Sequence, residues 1–144
     1  MSSHKKPPKW YGQGYGDLAG WDRAVNQCRA LLVERARLGI TATYSEVAQT
    51  ADAIPWPEGA HTHEGRQIGY LLGEVSVGEW LQDRPLLSAI VVYADRPVPG
   101  EGFHNLAEEL GFLPVRNKET EEVFWGQERE KCFRCWGIGG DCRE

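Results

Sequence analysis

Leu86-Leu87-Ser88-Ala89-Ile90-Val91-Val92-Tyr93 is the longest apolar run in this 144-residue chain, set between Arg84-Pro85 and the turn-rich stretch Asp95 to Gly100. A β-branched run without polar alternation predicts a strand covered on both faces. A lone strand cannot satisfy its own N–H and C=O groups, so it requires a partner. Ile40 to Ala42 and Val98 to Gly102 are the candidates. Around this run the pattern is helical. Trp21, Ala24, Val25, Cys28, Leu31 and Leu32 recur at helical spacing and predict a helix from about Ala19 to Leu38, stopped by Gly39. Thr43-Tyr44-Ser45-Glu46 is a capping box that opens a short helix to about Ala51. Pro55 and Pro57 forbid a regular helix between Asp52 and Thr62. A helix from His63 to about Val75 would bury Ile68, Leu71, Leu72 and Val75. Ser76-Val77-Gly78-Glu79 reads as another capping box, for a separate short helix to Gln82. Helices from about Phe103 to Leu110, and from Glu121 to Trp136 behind a Thr120 cap, complete the pattern. The expected fold class is α+β: a mostly helical single domain with a small sheet. That domain spans residues 17–136. A flexible basic and aromatic segment (1–16) precedes it and a Cys-containing tail (137–144) follows.

Hydrophobic residues at 41% and charged residues at 26% exclude general disorder. No apolar run approaches the ~20 residues of a membrane helix, so no membrane role is expected. Met1 to Lys9 has no apolar core of an export signal. A cytoplasmic protein is the expectation. The net charge of -5 is unevenly spread: residues 39–111 hold eleven acidic groups against Arg66, Arg84 and Arg96. A surface that neutralises phosphates needs clustered Lys and Arg. DNA is therefore opposed by the local charge, and a protein partner is expected. The aromatic residues Trp56, Tyr11 and Tyr15 would anchor such an interface, since Trp and Tyr bury area at modest entropy cost.

Three pieces, in order, carry a family resemblance: Thr43-Tyr44-Ser45-Glu46-Val47-Ala48, then Gly65-Arg66-Gln67-Ile68-Gly69, then Leu86 to Val92 followed by Pro99-Gly100-Glu101-Gly102-Phe103. This series resembles the C-terminal winged-helix domain of the alkylguanine DNA alkyltransferases and alkyltransferase-like proteins. The resemblance implies a winged-helix-like fold and DNA lesion binding. It places Tyr44 where the family has the Tyr that helps rotate a nucleotide. It places Arg66 where the family has the Arg that replaces a flipped base. Ser88 falls at the position of the acceptor Cys, with Ala89 and Ile90 where the family has His and Arg. Thiolate attack needs a low-pKa sulfur beside a proton acceptor. With both absent, recognition without alkyl transfer is what the resemblance implies. The interval between the Tyr and Arg motifs is longer than the family's, because of the Pro-Trp-Pro loop.

Two metal readings follow from the residues themselves. Cys132, Cys135 and Cys142, with Cys28 or His104 as a fourth ligand, would make a zinc site. The competing reading is reduced thiols or one disulfide. His61 and His63, near Glu58 and Glu64, would suit a small metal-dependent hydrolase. Ser88 lacks the Gly-x-Ser-x-Gly elbow of a nucleophile. Gly12-Gln13-Gly14-Tyr15-Gly16 lacks the strand and Lys of a phosphate loop. The non-catalytic recognition module is the reading these residues favour.

Overall fold

The computed structural model describes residues 5–13, 20–51 and 66–143, with the side chains of 66 and 67 left aside. Expectations placed on Tyr15, Trp56, Glu58, His61, His63 and Glu64, and on the side chain of Arg66, lie outside the described residues. The elements run α1 (Trp21–Leu38), β1 (Ala42–Thr43), α2 (Tyr44–Thr50), α3 (Arg66–Leu81), a 3-10 turn (Leu87–Ile90), β2 (Val91–Val92), α4 (Glu101–Glu109) and α5 (Lys118–Trp136). This is a mostly helical α+β arrangement. Among the described residues its sheet is one parallel pair, with Ala42 opposite Val91 and Thr43 opposite Val92. Among the described residues no helix is long and apolar enough to cross a membrane.

α1 buries the expected stripe of Trp21, Ala24, Cys28 and Leu32. It ends at Gly39, whose φ of 73° is the left-handed conformation that glycine adopts without strain. The Thr43–Glu46 capping box forms as the sequence predicts: Glu46 N–H donates to Thr43 Oγ1 at 3.1 Å and Thr43 N–H to Glu46 Oε1 at 2.9 Å. Arg35 at the end of α1 also donates to that carboxylate, tying α1 to α2.

Leu86 to Tyr93 corrects the strand expectation. Val91 and Val92 alone are strand; Leu87–Ile90 is a 3-10 turn. Leu86 to Val92 is wholly buried, as its apolar alphabet requires. Backbone groups of Leu86 to Ala89, however, are met by side chains, and only Val91 and Val92 join a ladder. Leu86 N–H donates to Glu128 Oε2 at 2.8 Å and Ser88 N–H to Ser76 Oγ at 2.9 Å. The Trp125 indole donates to Ala89 O at 2.9 Å, and the Cys132 thiol donates to Leu86 O at 3.2 Å. A continuous apolar run reports burial, and burial alone does not select a strand.

α3 corrects a second expectation, since it is one helix through Ser76 rather than two. Ser76 is fully buried and caps nothing. Glu79, also buried, holds Arg29 Nε and Arg84 Nε at 2.6 Å each. α5 starts three residues before Thr120's successor position would allow, at Lys118, because Asn117 is the cap and Thr120 is the third residue of its capping box. Beyond α5 the tail folds back on the helix: Cys142 N–H donates to Cys135 O at 2.9 Å, and a disulfide joins Cys135 to Cys142.

Candidate functional site

A cavity of about 590 Å³ lies between the first half of α3 and α4. That falls within the roughly 300–1,000 Å³ of small-ligand sites. Its α3 wall presents Gly69 and Gly73, one turn apart. Its α4 wall presents Glu101, Asn105 and Glu109, at i, i+4 and i+8 on one face. Buried Ile68, Leu72, Ser88, Phe103 and Leu106 form the floor. A Cβ at Gly69 would meet no atom of the described residues within 4 Å. One at Gly73 would lie 3.0 Å from the Trp10 indole.

Aromatic rings close both ends. Beside the N-terminus of α4, Tyr44 and Tyr93 pack with centroids 5.1 Å apart. Gly100 N–H donates to Tyr44 Oη at 2.7 Å. A side chain at Gly100 would meet the Tyr93 hydroxyl at 2.7 Å, so glycine is required for this approach. Burial pushes the Tyr44 phenol up to about 12, with the Gly100 N–H opposing that shift. Tyr44 is thus a neutral, fixed wall. Beside the C-terminus of α4, Trp10 meets Tyr70 edge-on at 6.3 Å and donates to both oxygens of Glu109 at 3.3 Å.

Trp10 belongs to a strap, residues 5–13, that lies along α3. Lys5 Nζ bonds Trp80 O at 2.7 Å and Asp83 at 2.6 Å, and Gly12 N–H donates to Glu74 at 3.0 Å. Tyr11, expected at a partner interface, sits with its hydroxyl over Gly78. Burial is the first cause that raises its phenol pKa, with Glu74 and Glu79 adding to it.

Ser88 is 4% exposed at the cavity floor. Its Oγ accepts from Ser76 Oγ at 2.7 Å. Among the described residues no histidine lines the cavity. Tyr44 from the first motif, Ile68 and Gly69 from the second, and Ser88 and Gly100 to Phe103 from the third all line this one space. Arg66 is the first residue of α3.

Among the described residues, five acidic groups of the middle stretch are paired: Glu46, Glu79, Asp83, Glu101 and Glu108. Glu46 holds Arg35, Glu79 holds Arg29 and Arg84, Asp83 holds Lys5, and Arg116 joins Glu101 with Glu108. Arg29, Arg35, Lys5 and Arg116 come from outside residues 39–111, so the linear count overstates the field. Glu109 and Glu74 differ: among the described residues each accepts from an N–H and neither has a cationic partner.

The cysteines are distributed. Cys135 and Cys142 share the disulfide. Cys28 is buried in α1, its thiol pushed up to about 12 by burial. Burial also raises Cys132, with Glu128 and Glu79 adding to it. Thiols shifted this way are poor sources of thiolate. His104 lies edge-on to Phe103, and its buried Nδ1 has no hydrogen-bond partner among the described residues. Among those residues no three His, Cys, Asp or Glu side chains group as a metal site.

Sequence reasoning did not find Gly69, Gly73, Tyr70, Tyr93 or the Glu101–Asn105–Glu109 face. Two glycines a turn apart inside a helix were the available signal. Comparison with protein-family models, curated proteins and solved structures gives no match.

Proposed function

We propose that this chain is a winged-helix-like recognition module that holds one extrahelical base of a DNA duplex and transfers no alkyl group to itself. One observation carries the reading. The three sequence pieces that resemble the alkyltransferase-like proteins, separated by up to sixty residues along the chain, supply walls and floor of a single aromatic cavity. A base inside a duplex is out of reach of any such pocket, and extruding it costs a few kcal/mol. Stacking of a base on aromatic rings returns about 1–3 kcal/mol. Tyr44, Tyr93, Tyr70 and Trp10 offer those rings. Gly69 leaves room for the ligand, and the Gly100 N–H holds Tyr44 in place.

Alkyl transfer is not part of the proposal. A serine hydroxyl at the acceptor position has a far higher pKa than a thiol and needs an adjacent base. Ala89 and Ile90 are buried aliphatic residues where that base and its neighbouring cation would be needed.

Anisotropy of a labelled duplex is the test. A duplex carrying one O-alkylated guanine should bind at least about tenfold more tightly than its unmodified counterpart. The slope of log affinity against log salt should be shallow, about -1 to -3, because few cations face the site. Equal or undetectable binding of both duplexes at low salt would defeat the reading. A protein partner is the second reading. Exposed Phe112, Val115 and Val123, where the α4–α5 connector meets α5, favour it. Salt-insensitive protein binding lost on Val123→Glu would support it.

A further inference from the structure

The cavity has an electrostatic character that a neutral base does not use. Glu101 is ion-paired with Arg116, a cation it shares with Glu108 and Glu121. Glu109 has no such cation: its carboxylate lines the cavity from the last turn of α4 and, among the described residues, receives only the Trp10 indole N–H. A carboxylate with an open face beside several π faces is a cation-binding arrangement, because ring quadrupoles and the anion attract the same charge. The space is a slot between two helix walls, with Gly69 opening one of them. A slot of about 590 Å³ suits a flat group of nucleoside size rather than a compact ammonium.

We infer that the slot selects a planar cationic base, a ring N-alkylated purine, over its neutral parent. This rests on the base-recognition reading above and narrows it. Glu109 supplies the charge that makes the discrimination, and Trp10 and Tyr44 supply the stacking faces. Trp10 stays in place in Glu109→Gln, since the amide oxygen can still accept its N–H.

Tryptophan fluorescence of the full chain, titrated at neutral pH with N1-methyladenosine, adenosine and tetramethylammonium, tests the inference. N1-methyladenosine should bind at least about tenfold more tightly than adenosine, and tetramethylammonium should bind no better than adenosine. In Glu109→Gln the preference should fall below about threefold. In Gly69→Leu both nucleosides should lose binding. Equal affinity for the two nucleosides would overturn the cation inference and leave base recognition standing. Tetramethylammonium binding as tightly as N1-methyladenosine would overturn it in favour of a compact cation such as an alkylated side chain of a protein. No binding of either nucleoside would overturn it too, and the duplex measurement then decides separately whether base recognition survives. Retained preference in a folded Glu109→Gln variant would also contradict it.

Discussion

One stripe of α3 passes through two different environments. Gly69 and Gly73 occupy it in the first half of the helix and Ser76 in the second, at spacings that keep all three on one side. Around Ser76 every polar group is matched. Ser76 serves both the Ser88 N–H and the Ser88 hydroxyl, and Glu79, one turn on, is clamped by two arginines. Around Gly69 no atom of the described residues is within contact distance of where a side chain would begin. Glycine inside a helix costs about 1 kcal/mol relative to alanine, so the first half forgoes stability that a larger residue would give. The second half holds the Leu86–Val92 segment in place; the first half leaves space above the floor that this segment provides.

If that contrast is right, substitutions in the two halves should move stability in opposite directions. Glu79→Ala should destabilise most, by about 3 kcal/mol in urea unfolding, because it strands two partly buried guanidinium groups. A loss under 1 kcal/mol would mean that the clamp is ornamental. Ser76→Ala should cost about 2 kcal/mol, since the Ser88 N–H is left buried without an acceptor. In the other half, Gly69→Ala should stabilise by about 0.5–1 kcal/mol. A decrease there would show that the apparent space is filled.

The smallest effect is a pH slope. Burial raises the Glu128 pKa, opposed by the Leu86 N–H and by Lys131. The folded state therefore binds this proton more tightly than the unfolded state. The stability contributed is fully present below the ordinary glutamate value of 4.5 and is lost as pH rises through the raised folded value. Glu128→Gln keeps an acceptor for Leu86 N–H and removes the titration. Its stability relative to the parent should rise from pH 4 to pH 7; a flat difference would place Glu128 outside the segment's pH dependence.

The parts legible in the sequence are those set by neighbours in the chain. The α1 stripe with its Gly39 stop, and the Thr43–Glu46 capping box, need nothing beyond a few residues. The Leu86–Val92 segment was legible as buried and as needing a partner (Ile40 to Ala42 was one of two candidates, and the fold selects Ala42–Thr43). Its conformation was not, because Ser76, Trp125, Glu128 and Cys132 take its backbone groups from 12 to 46 residues away. Ser76 was misread for the same reason: its hydroxyl answers a distant N–H, while its sequence neighbours imitate a cap. Charge misled in a similar way. A count along the chain cannot show that Arg35, Arg29, Lys5 and Arg116 cross over to the acidic stretch. For the site, the sequence motifs pointed to Tyr44, Arg66 and Ser88 as nucleic-acid contacts; that Tyr44 and Ser88 line one cavity is visible only in the fold. The glycines that shape it carry no chemistry of their own, and the α4 carboxylates look like a solvated helix face along the chain, so both were passed over.

Gly69→Leu tests the central claim most directly, with unfolding and duplex binding measured on the same preparation. The open slot predicts a helical protein with a denaturation midpoint no lower than the parent's and at least tenfold weaker affinity for the alkylated duplex. A variant that folds as well as the parent and binds that duplex equally tightly would show that the space between α3 and α4 receives nothing.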